Sequence, residues 1–142
     1  MNIAMLLNPK CELSFLYSND SVRQGLEQFR IHKYTAVPVL NDDGSYYGII
    51  RDKEFLTYIL ESDNYSIKDF ENIRIKEIIS AGSNPPVNIN ASADELISRI
   101  TDFNFVPVVD SRNYFVGIIT RKKVINYLTK IISEHIPATV NE

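Results

Sequence analysis

The sequence predicts a mixed α/β (α+β) fold built from two copies of one βαββα unit, and three observations predict it. Residues 37–60, VPVLNDDGSYYGIIRDKEFLTYIL, and residues 106–129, VPVVDSRNYFVGIITRKKVINYLT, align without a gap and are identical at eight of 24 positions. Ordinary composition would give about one or two such identities. Each copy places Gly-Ile-Ile ten residues after the proline of a Val-Pro-Val, so Pro38 and Gly48 match Pro107 and Gly117. Each is also preceded by a capped helix pattern behind a short apolar strand. A unit of about 60 residues rarely stabilises itself. The two should therefore pack sheet against sheet about a pseudo-twofold axis, with clefts at their junction suited to small ligands.

The elements follow in order. Ile3, Leu6 and Leu7 before Asn8-Pro9 form a lead-in, echoed by Ile75, Ile78 and Ile79 before Asn84-Pro85. Short strands are expected at Ser14–Tyr17 and Val87–Asn90. Ser21-Val22-Arg23-Gln24 and Ser92-Ala93-Asp94-Glu95 both read as capping boxes, a Ser N-cap with Gln or Glu three residues on. Behind them Val22, Leu26 and Phe29, and in the second copy Ala93, Ile97 and Ile100, share one helical face. The second copy is two residues shorter between helix and strand. Asn41-Asp42-Asp43-Gly44 is a hairpin turn. Its counterpart Asp110-Ser111-Arg112-Asn113 offers Asn113 for the positive-φ position. The closing helices should bury Phe55, Leu56 and Ile59, and Val124, Ile125 and Leu128. Ser66 should cap a helical connector running to Ala81. The division is residues 1–62 for the first repeat, 63–74 for a connector, 75–132 for the second repeat and 133–142 for a polar tail.

Composition narrows the function classes. Apolar residues make up 44% of the 142 and the net charge is −3, values of a globular protein without the basic excess of a general nucleic-acid binder. Cys11 is the only cysteine, so there is no intrachain disulfide and no thiolate metal site. The start has no basic n-region, and no run approaches the roughly 18 apolar residues of a membrane span. A cytoplasmic protein without membrane attachment is expected.

Thr120 is a good N-cap, which starts the next helix at Arg121 and puts Arg121, Lys122 and Lys123 in its first turn. Helix N-termini favour anions, and the first copy obeys this with Asp52 and Glu54 at the matching positions. The second copy reverses it. Either the cations form a solvated surface run, or a helix start with a hydroxyl and crowded cations binds phosphate.

Together, the duplicated hydrophobic-Pro-Val strand, turn, Gly-Ile-Ile strand and helix resemble a CBS-domain pair, or Bateman module, over nearly the whole chain. The resemblance implies two inter-repeat clefts for adenine nucleotides or related ligands and a non-catalytic regulatory role. The family's AMP/ATP pattern, a Thr or Ser after the strand and an Asp three residues on, is incomplete in both copies. Arg51 and Glu54 stand at these positions in the first copy, Thr120 and Lys123 in the second. Tyr34-Thr35-Ala36-Val37-Pro38-Val39, with Thr120-Arg121-Lys122, is similar to the stand-alone CBS-pair receptors for cyclic di-AMP of Gram-positive bacteria. That similarity implies adenine contacts from Ser14, Phe15, Leu16, Tyr34, Thr35, Ala36 and Val37, and phosphate contacts from Thr120, Arg121 and Lys122. Glu12 departs from the basic residue that some members carry there.

The resemblance further implies a homodimer and a regulated partner, a metabolic or stringent-response enzyme. The alternatives are an AMP, ADP or ATP sensor and a ligand-free interaction module. No cofactor is expected. His32 and His135 are too few and too isolated for a metal site, and no nucleophile motif or Walker loop occurs. Tyr34, at a helix-to-strand corner, suits either stacking on a base or plain packing. Phe105 replaces the small Ala36 in the second copy, so one functional cleft is expected.

Overall fold

The computed structural model describes residues 2–62 and 67–135. Its strands are β1 (Asn8–Pro9), β2 (Leu16–Tyr17), β3 (Ala36–Leu40), β4 (Tyr46–Arg51), β5 (Val87–Asn88), β6 (Phe105–Val109) and β7 (Phe115–Thr120). The helices are α1 (Val22–His32), α2 (Asp52–Glu61), α3 (Ala93–Asp102) and α4 (Arg121–His135). One sheet runs β2-β3-β4 and the other β1-β7-β6-β5. In each copy a parallel strand pair is joined by a helical crossover and followed by an antiparallel hairpin. Even the irregularities repeat: the register shifts at Val39/Leu40 and at Val108/Val109. The hairpin turns carry positive φ at Gly44 (88°) and Asn113 (65°). Asn tolerates that region better than most residues.

The capping box at Ser21 is complete, with Gln24 N–H donating to Ser21 Oγ at 3.1 Å and Ser21 N–H to Gln24 Oε1 at 2.8 Å. At Ser92 the hydroxyl accepts from Glu95 N–H at 3.2 Å. Each sheet buries one face under its own helices, around Val37, Val39, Ile50 and Phe55 in the first repeat and Val106, Val108, Ile119 and Val124 in the second. The opposite faces meet in a third cluster made of matching residues from the two copies. Leu40 and Val109, Tyr46 and Phe115, Ile49 and Ile118, and Ala36 and Phe105 all belong to it. Tyr46 and Phe115 stack with ring centroids 6.4 Å apart. The two turns also bond directly, Tyr46 N–H to Asn113 O and Phe115 N–H to Gly44 O. This is the pseudo-twofold arrangement that the repeat predicts.

Several expectations shift in detail. The first strand of each copy is shorter than expected, because only two residues in each pair in parallel. Leu56 and Ile125, expected in the core, are 58% and 53% exposed, since one helical turn buries Phe55 or Val124 and points the next residue outward. Ile97 is exposed as well, and Leu96 takes the buried place beside Ile100. Leu96 aligns with Gly25, and a Cβ on Gly25 would lie 2.9 Å from Phe55 Cζ. Small Gly25 against large Phe55 thus becomes large Leu96 with smaller Val124, the large and small places trading between the copies. The connector contains short 3-10 turns at Ile67–Glu71 and Ile75–Glu77 rather than a continuous helix. Its expected cap, Ser66, lies outside the described residues.

The lead-ins are exchanged. Ile3 and Leu6 are buried in the core of the second repeat, and Ile75 and Ile79 in the core of the first. β1 lies antiparallel on β7, pairing Asn8 with Ile118 and Pro9 with Gly117.

Candidate functional site

The corners that begin β3 and β6 approach one another across the pseudo-twofold axis, Thr35 and Ala36 lining one hollow with Asn104 and Phe105. On the repeat-1 side a 310 Å³ cavity is bordered by Ser14, Tyr34, Thr35, Ala36, Phe105 and Ile118, among others. On the repeat-2 side a 380 Å³ cavity is bordered by Asn104, Thr120, Arg121, Lys122, Ile125 and Asn126. A 230 Å³ hollow at the axis is bordered by Thr35, Ala36, Arg51, Phe103, Asn104 and Phe105, so it draws on the corners of both repeats. Glu12 also borders the first cavity. A larger hollow of 820 Å³ runs along α1 and β2, but its charged side chains pair off locally, Arg23 with Glu71 and Glu27 with Arg30. Arg30's hydrogen bond and charge hold the Glu27 carboxyl below its ordinary range.

At the repeat-1 end, Tyr34 is fixed from several sides. Its hydroxyl donates to Ser14 Oγ at 2.5 Å. Its ring stacks on His32 at 5.1 Å, and Phe29 meets it edge-on at 5.8 Å. Lys33, in the left-handed region at φ 55°, makes the corner that brings His32 and Tyr34 side by side. Leu16 and Val37 are core residues of the first repeat, 6% and 3% exposed, and both border the 820 Å³ hollow together with Ser14, Phe15 and Tyr34. Phe15 packs in the inter-repeat cluster, with Lys10 Nζ 5.2 Å from its ring.

At the repeat-2 end, α4 begins at Arg121, and Thr120 Oγ1 accepts from Lys123 N–H at 3.2 Å. The three cations do not act as one cluster. Arg121 Nε donates to Ile100 O at 2.9 Å and Nη2 to Thr101 O at 3.2 Å, at the end of α3. Lys123 Nζ donates to Asn8 Oδ1 at 3.0 Å on β1. Lys122 is exposed and borders the cavity. Arg121 N–H donates to Asn104 O and, in the matching place, Asp52 N–H to Thr35 O. Each closing helix is thereby tied to the corner before its partner strand.

On the pseudo-symmetric side, Arg51 and Glu54 meet a buried partner, Asn84, whose role the sequence did not show. Asn84, 4% exposed, accepts from Arg51 Nη2 on its side-chain oxygen at 3.0 Å and from the Tyr46 hydroxyl on its carbonyl at 2.6 Å. Burial pushes the Tyr46 hydroxyl well above its ordinary range, against a smaller opposing pull from Arg51. Arg51 Nη1 lies 3.7 Å from Glu54 Oε1, and Glu54 Oε2 is buried without a hydrogen-bond partner among the described residues. The available sequence signal was Asn84 held before two prolines, which restrict the chain ahead of them, at the position aligned with Leu13. Phe105 borders both the hollow at the axis and the repeat-1 cavity.

Among the described residues, no group of three His, Cys, Asp or Glu could hold a metal ion, and no helix is long and apolar enough to cross a membrane.

A family model for the CBS domain matches residues 9–61 and again residues 75–130. The chain is similar in structure to CbpB in complex with c-di-AMP, with a TM-score of 0.85 at 20% identity, covering 94% of this chain and 88% of that one. It is also similar to CBSX2 in complex with AMP, with a TM-score of 0.72 at 22% identity, covering 92% and 97%. In sequence it is 25% identical over 122 residues to a CBS domain-containing protein of Dictyostelium discoideum, covering 80% of each chain.

Proposed function

The chain belongs to the CBS domain family, with two copies of the domain in one polypeptide, and from that premise we propose that it is a non-catalytic cytoplasmic receptor for cyclic di-AMP. The carrying observation is the pair of cavities on the two repeats, one bordered by small Ala36 and anchored Tyr34 and the other by Thr120, Arg121 and Lys122. A flat base suits the first end, where an aromatic ring can stack on it. A phosphate suits the second, with a helix start and nearby cations. Ser14, Thr35 and the main chain of Leu16 and Val37 offer the polar edge, and Phe15 supports it. One ligand per chain is expected, because Phe105 stands where the first repeat has small Ala36, and Arg51 is held by Asn84 and Glu54.

The output passes through a homodimer and a partner enzyme of metabolism or the stringent response, whose association the ligand controls. AMP, ADP or ATP is the second reading, favoured by the likeness to an AMP-bound CBS pair. Titration calorimetry with each nucleotide decides between them. Cyclic di-AMP should bind tightest and at one site per chain. Tighter binding of AMP or ATP, or two equal sites, refutes the reading. No heat with any nucleotide indicates a ligand-free interaction module.

A further inference from the structure

We propose that this chain pairs with a second copy of itself in a crossed arrangement, the outer face of α2 in one copy lying on the outer face of α4 in the other. This rests on the receptor reading only for the expectation that copies associate, and it adds which faces meet and in which sense. Four large aliphatic side chains stand out on the two helices. Leu56 and Leu60, one turn apart on α2, are 58% and 69% exposed, and Ile125 and Ile132, two turns apart on α4, are 53% and 57% exposed. Spacings of four and seven keep each pair on one helical face. Leu56 and Ile125 are mates in the alignment of the repeats, so the two stripes occupy corresponding faces. Apolar residues gathered on one face inside a charged rim mark an interaction surface.

Charge decides what covers them. α2 carries three carboxylates and one lysine, whereas α4 carries four Arg or Lys residues and one carboxylate. At matched positions the sign is inverted, Asp52 against Arg121, Glu54 against Lys123 and Glu61 against Lys130. Asp52, Glu61 and Lys130 are exposed, and the field of each helix acts beyond its direct contacts. The preceding helices invert in the opposite sense, with two arginines to one glutamate in α1 and three carboxylates to one arginine in α3. The repeats thus present the same apolar stripe within opposite fields. A twofold axis sets two copies either like on like, α2 against α2 and α4 against α4, or crossed, with α2 against α4 made twice. Like on like brings each net charge against its own sign, which association selects against. Crossed, each stripe is covered by the other and each net charge meets its opposite. Such a surface is its own complement when turned end for end, the property an isologous contact requires. Ile125 also borders the repeat-2 cavity, so the crossed contact sets the second copy's α2 beside it.

Cross-linking of the full chain with a flexible bis-maleimide tests the crossing, in a Cys11→Ser background that removes the native thiol. Leu60→Cys and Thr129→Cys occupy matched, exposed positions on the two helices, outside the residues assigned to the ligand. A mixture of the two variants should cross-link several-fold more than either alone. Equal or greater cross-linking within either variant alone, or none in the mixture, overturns the proposal. Sedimentation velocity is the second readout. Wild type should be a dimer that weakens several-fold as salt rises, because attraction between unlike charges is screened. Leu60→Asp and Ile132→Asp should each be monomeric with an unchanged circular dichroism spectrum, since both side chains are exposed. A monomeric wild type, a dimer that salt strengthens, or wild-type dimer strength in either Asp variant overturns it as well. Calorimetry with cyclic di-AMP on the same proteins separates this interface from the receptor reading. No binding by a crossed dimer removes the receptor and leaves the interface, and binding by a monomeric wild type removes the interface alone.

Discussion

Replacing Gly117 by alanine should detach the N-terminal segment from the second repeat. A Cβ there would lie 2.2 Å from Asn8 O and 2.9 Å from Leu7 Cδ1, the first about 1 Å inside ordinary contact. The obstacle is backbone, fixed by the pairing of Asn8 with Ile118 and Pro9 with Gly117, so no side-chain rotation relieves it. The segment must move away, withdrawing Ile3 and Leu6, which are 1% and 4% exposed. At about 1.5–3 kcal/mol for each fully buried aliphatic side chain, the loss is about 3–6 kcal/mol. A typical domain has only about 5–15 kcal/mol in total. Gly48 is the internal control, because its Cβ would approach nothing closer than 3.7 Å, and Gly48→Ala should cost less than about 1 kcal/mol. Urea unfolding gives both values, and limited proteolysis reports release of the N-terminal segment in Gly117→Ala. Equal losses at the two glycines, or a Gly117→Ala loss below about 1 kcal/mol, would refute the account of the exchanged lead-in.

Gly25→Ala should cost about 1–3 kcal/mol by overpacking, since the new Cβ meets Phe55 Cζ at 2.9 Å and Ile75 Cδ1 at 3.1 Å. Adding Phe55→Leu should recover part of that loss in thermal melts, as the Leu96 and Val124 pair does in the other repeat. Asn84→Ala should destabilise by about 1–3 kcal/mol in denaturant titrations, because it leaves the half-buried Arg51 without its acceptor. Arg51→Ala should leave cyclic di-AMP affinity within about threefold of wild type, against about tenfold or more lost in Arg121→Ala. Equal losses from the two arginines would contradict a single working cleft.

Much of the fold was legible because it is written twice. Val-Pro-Val, Gly-Ile-Ile, the Ser caps and the turn residues Gly44 and Asn113 impose local geometry that each copy must satisfy alone, and the alignment of the copies fixes which residues are mates. The site was legible as residue types, with Thr120 as N-cap and the cations of α4 recognisable from their order. What those cations do was not. Arg121, Lys122 and Lys123 are consecutive, yet one grips α3, one faces the seam and one holds Asn8 more than 100 residues away in sequence. Helical geometry sends successive side chains about 100° apart, and only the packed neighbours decide what each one meets. The same reason separates Phe55 from Leu56 and Leu96 from Ile97, and lets buried Asn84 hold Arg51 while its counterpart Leu13 borders a cavity. The sequence by itself determined the duplicated unit, its caps and turns, because these follow from local chemistry. Only the tertiary structure decided the exchange of the lead-ins and the partners of each cation, because those depend on how the two copies meet.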